Sequence, residues 1–269
     1  MPAGSVLLER LGVGSVFEVA LVRDEGGREL ILKRVAPQVA QVTGKGALNR
    51  ERDILRAASG VHLPELVDAG DDAAGPFLLQ TKAPGTTLRA WLDGSTPRLD
   101  AARWLAMAQA ASRALAALHA LRDASGDLAI VHGDVSPDNL FFGEPSAVTF
   151  VDLSNATWRG GPWPVSPAAR GTLPYAAPEL ARNEVPPTGE SDTYALAATL
   201  LAVAVGPITR ASTEAGRLFE VASSGVLRER IEERPDLPKH VRRAIFDALA
   251  FERIARVASS HELAERLNR

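Results

Sequence analysis

Cysteine does not occur in the 269 residues, which excludes a disulfide framework, a thiolate-bound metal and a cysteine nucleophile. Aromatic residues are scarce at 5%, so Leu, Ala and Val must fill the core that the 46% hydrophobic content provides. Neither charge sign dominates: 30 Lys and Arg stand against 33 Asp and Glu, a net charge of −3. That balance argues against a nucleic-acid or membrane-surface binder. The first fifteen residues carry Glu9 and Arg10 and lack the apolar stretch of a signal peptide. The longest apolar run, Tyr194 to Val205, is too short for a membrane span and reads as a buried helix. Internal repeats, low-complexity tracts and long linkers are missing as well. These features fit a cytoplasmic protein, and the length predicts one large domain or two small lobes.

What the chain does carry is concentrated in Ile130 to Leu140, IVHGDVSPDNL. Two apolar residues, read as a short strand, lead into a loop in which Asp134 lies five positions before Asn139. An aspartate can accept or orient a hydroxyl proton, and an amide oxygen can ligate a hard cation such as Mg²⁺. A second carboxylate, Asp152, ends the apolar run Val148 to Val151, as if a strand delivered it to the same place. Two acids and an amide around a metal suit phosphoryl transfer, where catalysis is mostly positioning and charge neutralisation. Upstream, turn signals alternate with strand patterns from residue 5 to 35, and two further strands are read at His62–Val67 and Gly75–Gln80. The segment Leu99 to Leu121 has helical spacing, with Leu99-Asp100 offering a cap.

His132-Gly133-Asp134-Val135-Ser136-Pro137-Asp138-Asn139 resembles the catalytic loop of protein kinases, H-R-D-L-x-x-x-N, and Asp152-Leu153-Ser154 stands where that family has D-F-G. The hairpin LGVGSVFEV is similar to the family's glycine-rich loop, with Gly12, Gly14 and Val19 in place. Lys33 matches the lysine that contacts the ATP phosphates, and Glu51 the acid that pairs with it. Phe77 to Leu88 resembles the last small-lobe strand and hinge, which implies Gln80 as gatekeeper and adenine contacts from the backbone of Thr81 to Ala83. Gly171 to Glu179, GTLPYAAPE, resembles the close of an activation segment, with Thr172 near Asp134. Glu190 to Leu196 resembles the start of the central large-lobe helix, where Asp192 would bond catalytic-loop backbone, and Arg256 matches an arginine that pairs with Glu179.

These matches, in family order, imply a bacterial-type Ser/Thr protein kinase with an α+β, bilobal fold. The small β-rich N-lobe with one helix is expected at 1–84 and the larger, mainly helical C-lobe at 85–269. They would form a single kinase domain with no sensor or membrane module attached. The resemblance implies ATP as phosphate donor, Mg²⁺ or Mn²⁺ on Asn139 and Asp152, and a protein substrate, with a regulatory protein partner left open. Four departures stand out. Gly133 replaces the arginine that meets a phosphorylated activation segment. Ser136 replaces the lysine on the γ-phosphate, Leu153-Ser154 replaces Phe-Gly, and Phe17 replaces the third glycine. These degenerate motifs keep two alternatives in view: a pseudokinase acting as a nucleotide-binding or interaction module, and a small-molecule phosphotransferase.

Overall fold

The computed structural model describes residues 2, 4–14, 16–39, 41–58, 60, 62–95, 99–143, 146–161, 172–182, 185–208, 224 and 226–269. Five strands form the first layer: β1 (Val6–Val13), β2 (Phe17–Arg23), β3 (Glu29–Val35), β4 (Leu66–Asp72) and β5 (Gly75–Thr81). They pair antiparallel in the order β1-β2-β3-β5-β4. The register sets Lys33 of β3 opposite Val19 of β2 and Leu78 of β5, so these three residues share one sheet face. The helix α1 (Gln41–Ala57) packs on the sheet through the buried Leu48, Ile54 and Leu55.

Strand β4 begins at Leu66 rather than His62. Pro64 has no N–H to give a ladder, and His62 takes a positive φ of 54°, so the segment before Leu66 cannot extend the sheet.

After β5 the chain turns helical. A two-residue strand β6 (Thr86–Thr87) and a short helix α2 (Leu88–Leu92) precede α3 (Ala101–His119), whose N-cap Asp100 accepts the Arg103 N–H. A small hairpin, β7 (Arg122–Asp123) and β8 (Gly126–Asp127), leads to the loop that holds Asp134. Strands β9 (Leu140–Gly143) and β10 (Ala147–Phe150) follow, and β9 also pairs with β6. The strand read at Ile130-Val131 reduces to a single bridge between Val131 and Thr157. Gly85, at φ +84°, allows the close approach to β9, since a Cβ there would run into the Phe142 carbonyl.

The large core lies among α3, α4 (Pro178–Ala181), α5 (Gly189–Val205), a 3₁₀ helix (Val226–Glu233), α6 (Lys239–Ala248) and α7 (Ser260–Leu267). A capping box between Thr188 and Ser191 starts α5, and every residue from Ser191 to Val205 is buried. Apolar on all sides, α5 is the helix around which the larger unit packs. The Trp104 indole N–H of α3 donates to the Leu200 carbonyl of α5 at 3.0 Å and fixes the two helices together. The fold is thus α+β, a β-rich unit with one helix beside a mainly helical one. No helix among the described residues is long and apolar enough to cross a membrane.

Candidate active site

A cavity of about 420 Å³ lies between the underside of the sheet and the loops around β9 and β10. Its walls include Val19, Lys33 and Gln80 from the sheet and Asn139 and Asp152 from below. The volume falls within the range of small-molecule sites, and the walls are mostly apolar with a few convergent charged groups.

Lys33 is the charged centre of the roof. Its Nζ donates to both carboxylate oxygens of Glu51, at 2.7 and 2.9 Å, and lies 3.7 Å from Asp152. Burial pushes the Lys33 ammonium toward neutrality, but the two carboxylates more than offset it, so its pKa lies above the usual lysine value. The Phe17 ring closes another side of the ammonium, with its centroid 5.3 Å from Nζ. Phe17 thus fills the position of the missing third glycine with an aromatic wall of the cavity.

The floor is built by the loop after Val131. Asp192, at the start of α5, accepts the backbone N–H groups of His132 at 2.7 Å and Gly133 at 2.9 Å. The same carboxylate takes the His119 Nε2–H at 3.0 Å, and the Ser260 hydroxyl donates to His119 Nδ1. His132 is fully buried; its Nε2–H donates to the Val151 carbonyl and its Nδ1 accepts the Asp134 N–H. Burial holds this imidazole below its ordinary pKa, in the neutral form that both bonds require. Gly133 sits at φ +77°, where a Cβ would lie 2.6 Å from the Asn155 carbonyl oxygen. A side chain there would meet both the left-handed backbone and this contact, which glycine avoids.

Asp134 Oδ1 accepts both the backbone N–H of Thr172, at 2.8 Å, and its hydroxyl, at 2.9 Å. Its other oxygen has no partner among the described residues. Burial, reinforced by the charge of Asp152, raises the Asp134 carboxyl to about 6. Asn139 donates its Nδ2–H to the Asp134 carbonyl at 3.0 Å, and its side chain lines the cavity. Asp152 follows β10 with φ +63°, a conformation costly for a non-glycine residue. Burial pushes its carboxyl up, while Lys33 and the Ser154 N–H and hydroxyl pull it down further, leaving it ionised.

The residues singled out from the sequence do not all gather here. Lys33, Val19, Gly14, Gln80, Ala83, Asn139 and Asp152 line the cavity. Gly12 does not; it borders a separate cavity of about 530 Å³. Thr81 lies off the wall, its hydroxyl accepting the Glu65 N–H. Ser136 is fully buried, its hydroxyl without a partner among the described residues, and it brings no charge to the site. Gly171 lies outside the described residues. The sequence reading missed Asp138 on the cavity wall, which Arg89 of α2 holds by two bonds of 3.0 and 2.6 Å. It also missed Arg50, which is taken up below. Asp138 sits inside the quoted motif and could have been flagged as a third acid; Arg89 carries no signal of its own.

Further out, Glu179 of α4 meets Arg256 in a fork of two 2.7 Å bonds, and the guanidinium also binds the Ala250 and Phe251 carbonyls. Tyr194 of α5 lies beneath it, ring centroid 4.9 Å from the guanidinium carbon. Burial lifts the Tyr194 phenol to about 12.

Comparison with known proteins gives this arrangement its context. Residues 5–264 match the family model of the protein kinase domain. The chain is 31% identical over 204 residues to serine/threonine-protein kinase AfsK of Streptomyces griseus, covering 74% of this chain and 24% of AfsK. It is 27% identical over 249 residues to the probable serine/threonine-protein kinase PkwA of Thermomonospora curvata, covering 89% of this chain and 31% of PkwA. Human calcium/calmodulin-dependent protein kinase type 1B is 30% identical over 195 residues, or 70% of this chain and 52% of that protein. The chain therefore spans about a quarter to a half of the length of these relatives. With the motif order, the bilobal fold and a match over nearly the whole sequence in agreement, this chain belongs to the protein kinase family.

Proposed function

We propose that the chain is an ATP-dependent Ser/Thr protein kinase domain that transfers the γ-phosphate to a hydroxyl of a protein substrate. The observation that carries this reading is the convergence of Lys33, Asn139 and Asp152 on one cavity, with Glu51 paired to Lys33 and Asp134 bonded to Asn139 just beyond the wall. In this reading Lys33, kept charged by Glu51, neutralises donor phosphates. Gly14 and Val19 form the roof, Gln80 the back wall, and the Ala83 backbone the edge where a base would bind. Asp134 offers its free oxygen to the acceptor hydroxyl, orients it and takes its proton, while Thr172 holds the other oxygen still.

The donor set also fits a divalent cation. Among the described residues no group of three or more His, Cys, Asp or Glu could hold a metal by itself. Mg²⁺ does not need one, because it is held by one or two protein oxygens plus phosphates and waters. An ionised Asp152 and the amide oxygen of Asn139 would hold it, and the ion would neutralise charge developing on the transferred group.

The test is transfer from γ-labelled ATP with Mg²⁺ to a mixture of Ser- and Thr-containing proteins. Transfer to Ser or Thr, lost on chelation of the metal and regained on its return, is the expected outcome. Label appearing only on a metabolite would refute the protein-kinase assignment.

A pH dependence follows from Asp134. Only its ionised form takes the proton, so kcat/KM should rise tenfold per pH unit below about 6 and level off above. An ordinary aspartate would place that limb about two units lower. A rate profile from pH 4.5 to 8, at saturating nucleotide and limiting acceptor, locates it.

A further inference from the structure

Consecutive residues of a helix point about 100° apart, so Arg50 and Glu51 of α1 reach in different directions. Both are buried, at 3% and 1% exposure. Glu51 faces Lys33; the Arg50 Nη1–H instead donates to the Ser154 carbonyl at 2.9 Å, across 104 positions of sequence. A buried arginine is rare unless it is held by hydrogen bonds, and one of the groups that holds this one is a main-chain oxygen. Ser154 ends the turn that carries Asp152. The Leu153 N–H of the same turn faces Glu51 and helps to lower that carboxyl. One helix therefore bonds the turn through Arg50 and faces it with the adjacent Glu51.

The turn needs holding. Asp152 sits at φ +63°, strain that persists only where the surroundings impose it. Within the turn, Leu153 is fully buried, the Ser154 N–H returns to Asp152 Oδ1 at 3.3 Å, and the Ala156 N–H donates to the Leu153 carbonyl. From the opposite side no side chain can help from position 133, because a Cβ on Gly133 would meet the Asn155 carbonyl. Two cations reach the turn among the described residues: Lys33 of β3 beside the Asp152 carboxylate, and Arg50 of α1 on the Ser154 carbonyl.

We propose that Arg50 is a positioning residue that straps the Asp152–Ser154 turn to α1 and thereby sets the affinity of the site for its divalent cation. The proposal rests on the reading of Asp152 as a cation ligand. It makes the pose of Asp152 depend on the packing of α1. Arginine is required for its reach and planar fork; lysine keeps the charge and loses the geometry.

The test compares wild type with Arg50→Met and Arg50→Lys by two readouts. The first is amide hydrogen exchange at Ser154 and Ala156 in the nucleotide-free protein. The second is the Mg²⁺ concentration that half-saturates the thermal shift given by ATP. In Arg50→Met the turn amides should exchange at least tenfold faster, with β3 and β5 unchanged, and the half-saturating Mg²⁺ should rise several-fold. Arg50→Lys should fall between, and it carries the comparison alone where the methionine variant fails to fold. Unchanged turn exchange, faster exchange spread evenly over the sheet, or a loosened turn with unchanged Mg²⁺ requirement would each overturn the proposal. If wild type gives no Mg²⁺-dependent shift and no transfer, the kinase reading fails instead, and the exchange data still decide whether the strap exists.

Discussion

Asp134→Asn is expected to reduce phosphate transfer by about 10²- to 10⁴-fold, the usual contribution of a positioned general base. Nucleotide binding should stay close to wild type, since Asp134 is not among the residues that line the 420 Å³ cavity. The substitution is nearly isosteric, and an asparagine oxygen can still accept both Thr172 bonds. Stability should move the other way. The carboxyl is raised from 3.8 to about 6 in the folded protein, so the folded state binds this proton more tightly than the unfolded chain does. Its contribution to stability is present below pH 4 and is lost as pH rises toward 6. A shift of about two units corresponds to a cost of at most about 3 kcal/mol at neutral pH. The variant should therefore be more stable than wild type at pH 7 and lose that advantage near pH 4. Transfer kinetics beside urea titrations at the two pH values check both halves. Retained transfer would remove Asp134 from its role.

The second large effect concerns the Glu179–Arg256 pair. Both side chains are buried, and each guanidinium arm donates to a different carboxylate oxygen at 2.7 Å. Removing one partner strands a charge where water cannot reach it, and Arg256→Ala also strands the Ala250 and Phe251 carbonyls. A loss of about 3 to 5 kcal/mol is expected, a large part of the 5 to 15 kcal/mol that holds a typical domain together. The pair is not thereby a net source of stability, because two charges had to be desolvated to form it. The double variant Glu179→Gln/Arg256→Met should accordingly cost less than the sum of its two single changes. Denaturant unfolding of the four proteins measures the coupling. Single variants within about 1 kcal/mol of wild type would show that water or a rearranged loop satisfies the survivor.

Placement of the charged groups was legible wherever a residue and its partner sit at a fixed spacing or inside one short motif. Asp134 and Asn139 share a loop, Asp152 ends an apolar strand pattern, and Lys33 and Glu51 stand in strand and helix phrases that carry their own periodicity. The helices α3 and α5 were legible for the same reason. One shows a cap and helical spacing, and the other an apolar run too short for a membrane. Strand β4 was placed too early, because the apolar letters of His62 to Val67 outweighed the proline that ends any ladder there.

By itself the sequence determined the family resemblance, most of the sheet strands, the helices α1, α3 and α5, and which acids, amide and lysine are available for chemistry. These depend on residue type and local spacing, and backbone geometry turns such spacing into a helix face, a strand face or a loop. Only the tertiary structure decided which of them share a wall: that Gly12, Thr81 and Ser136 stand off the cavity, that Arg89 holds Asp138, and that Arg50 reaches Ser154. Contacts of this kind join residues tens of positions apart, and one of them ends on a main-chain carbonyl that every residue possesses. No pattern of letters marks such an acceptor. It becomes a site only when packing brings a buried donor to it and leaves that donor no water as an alternative.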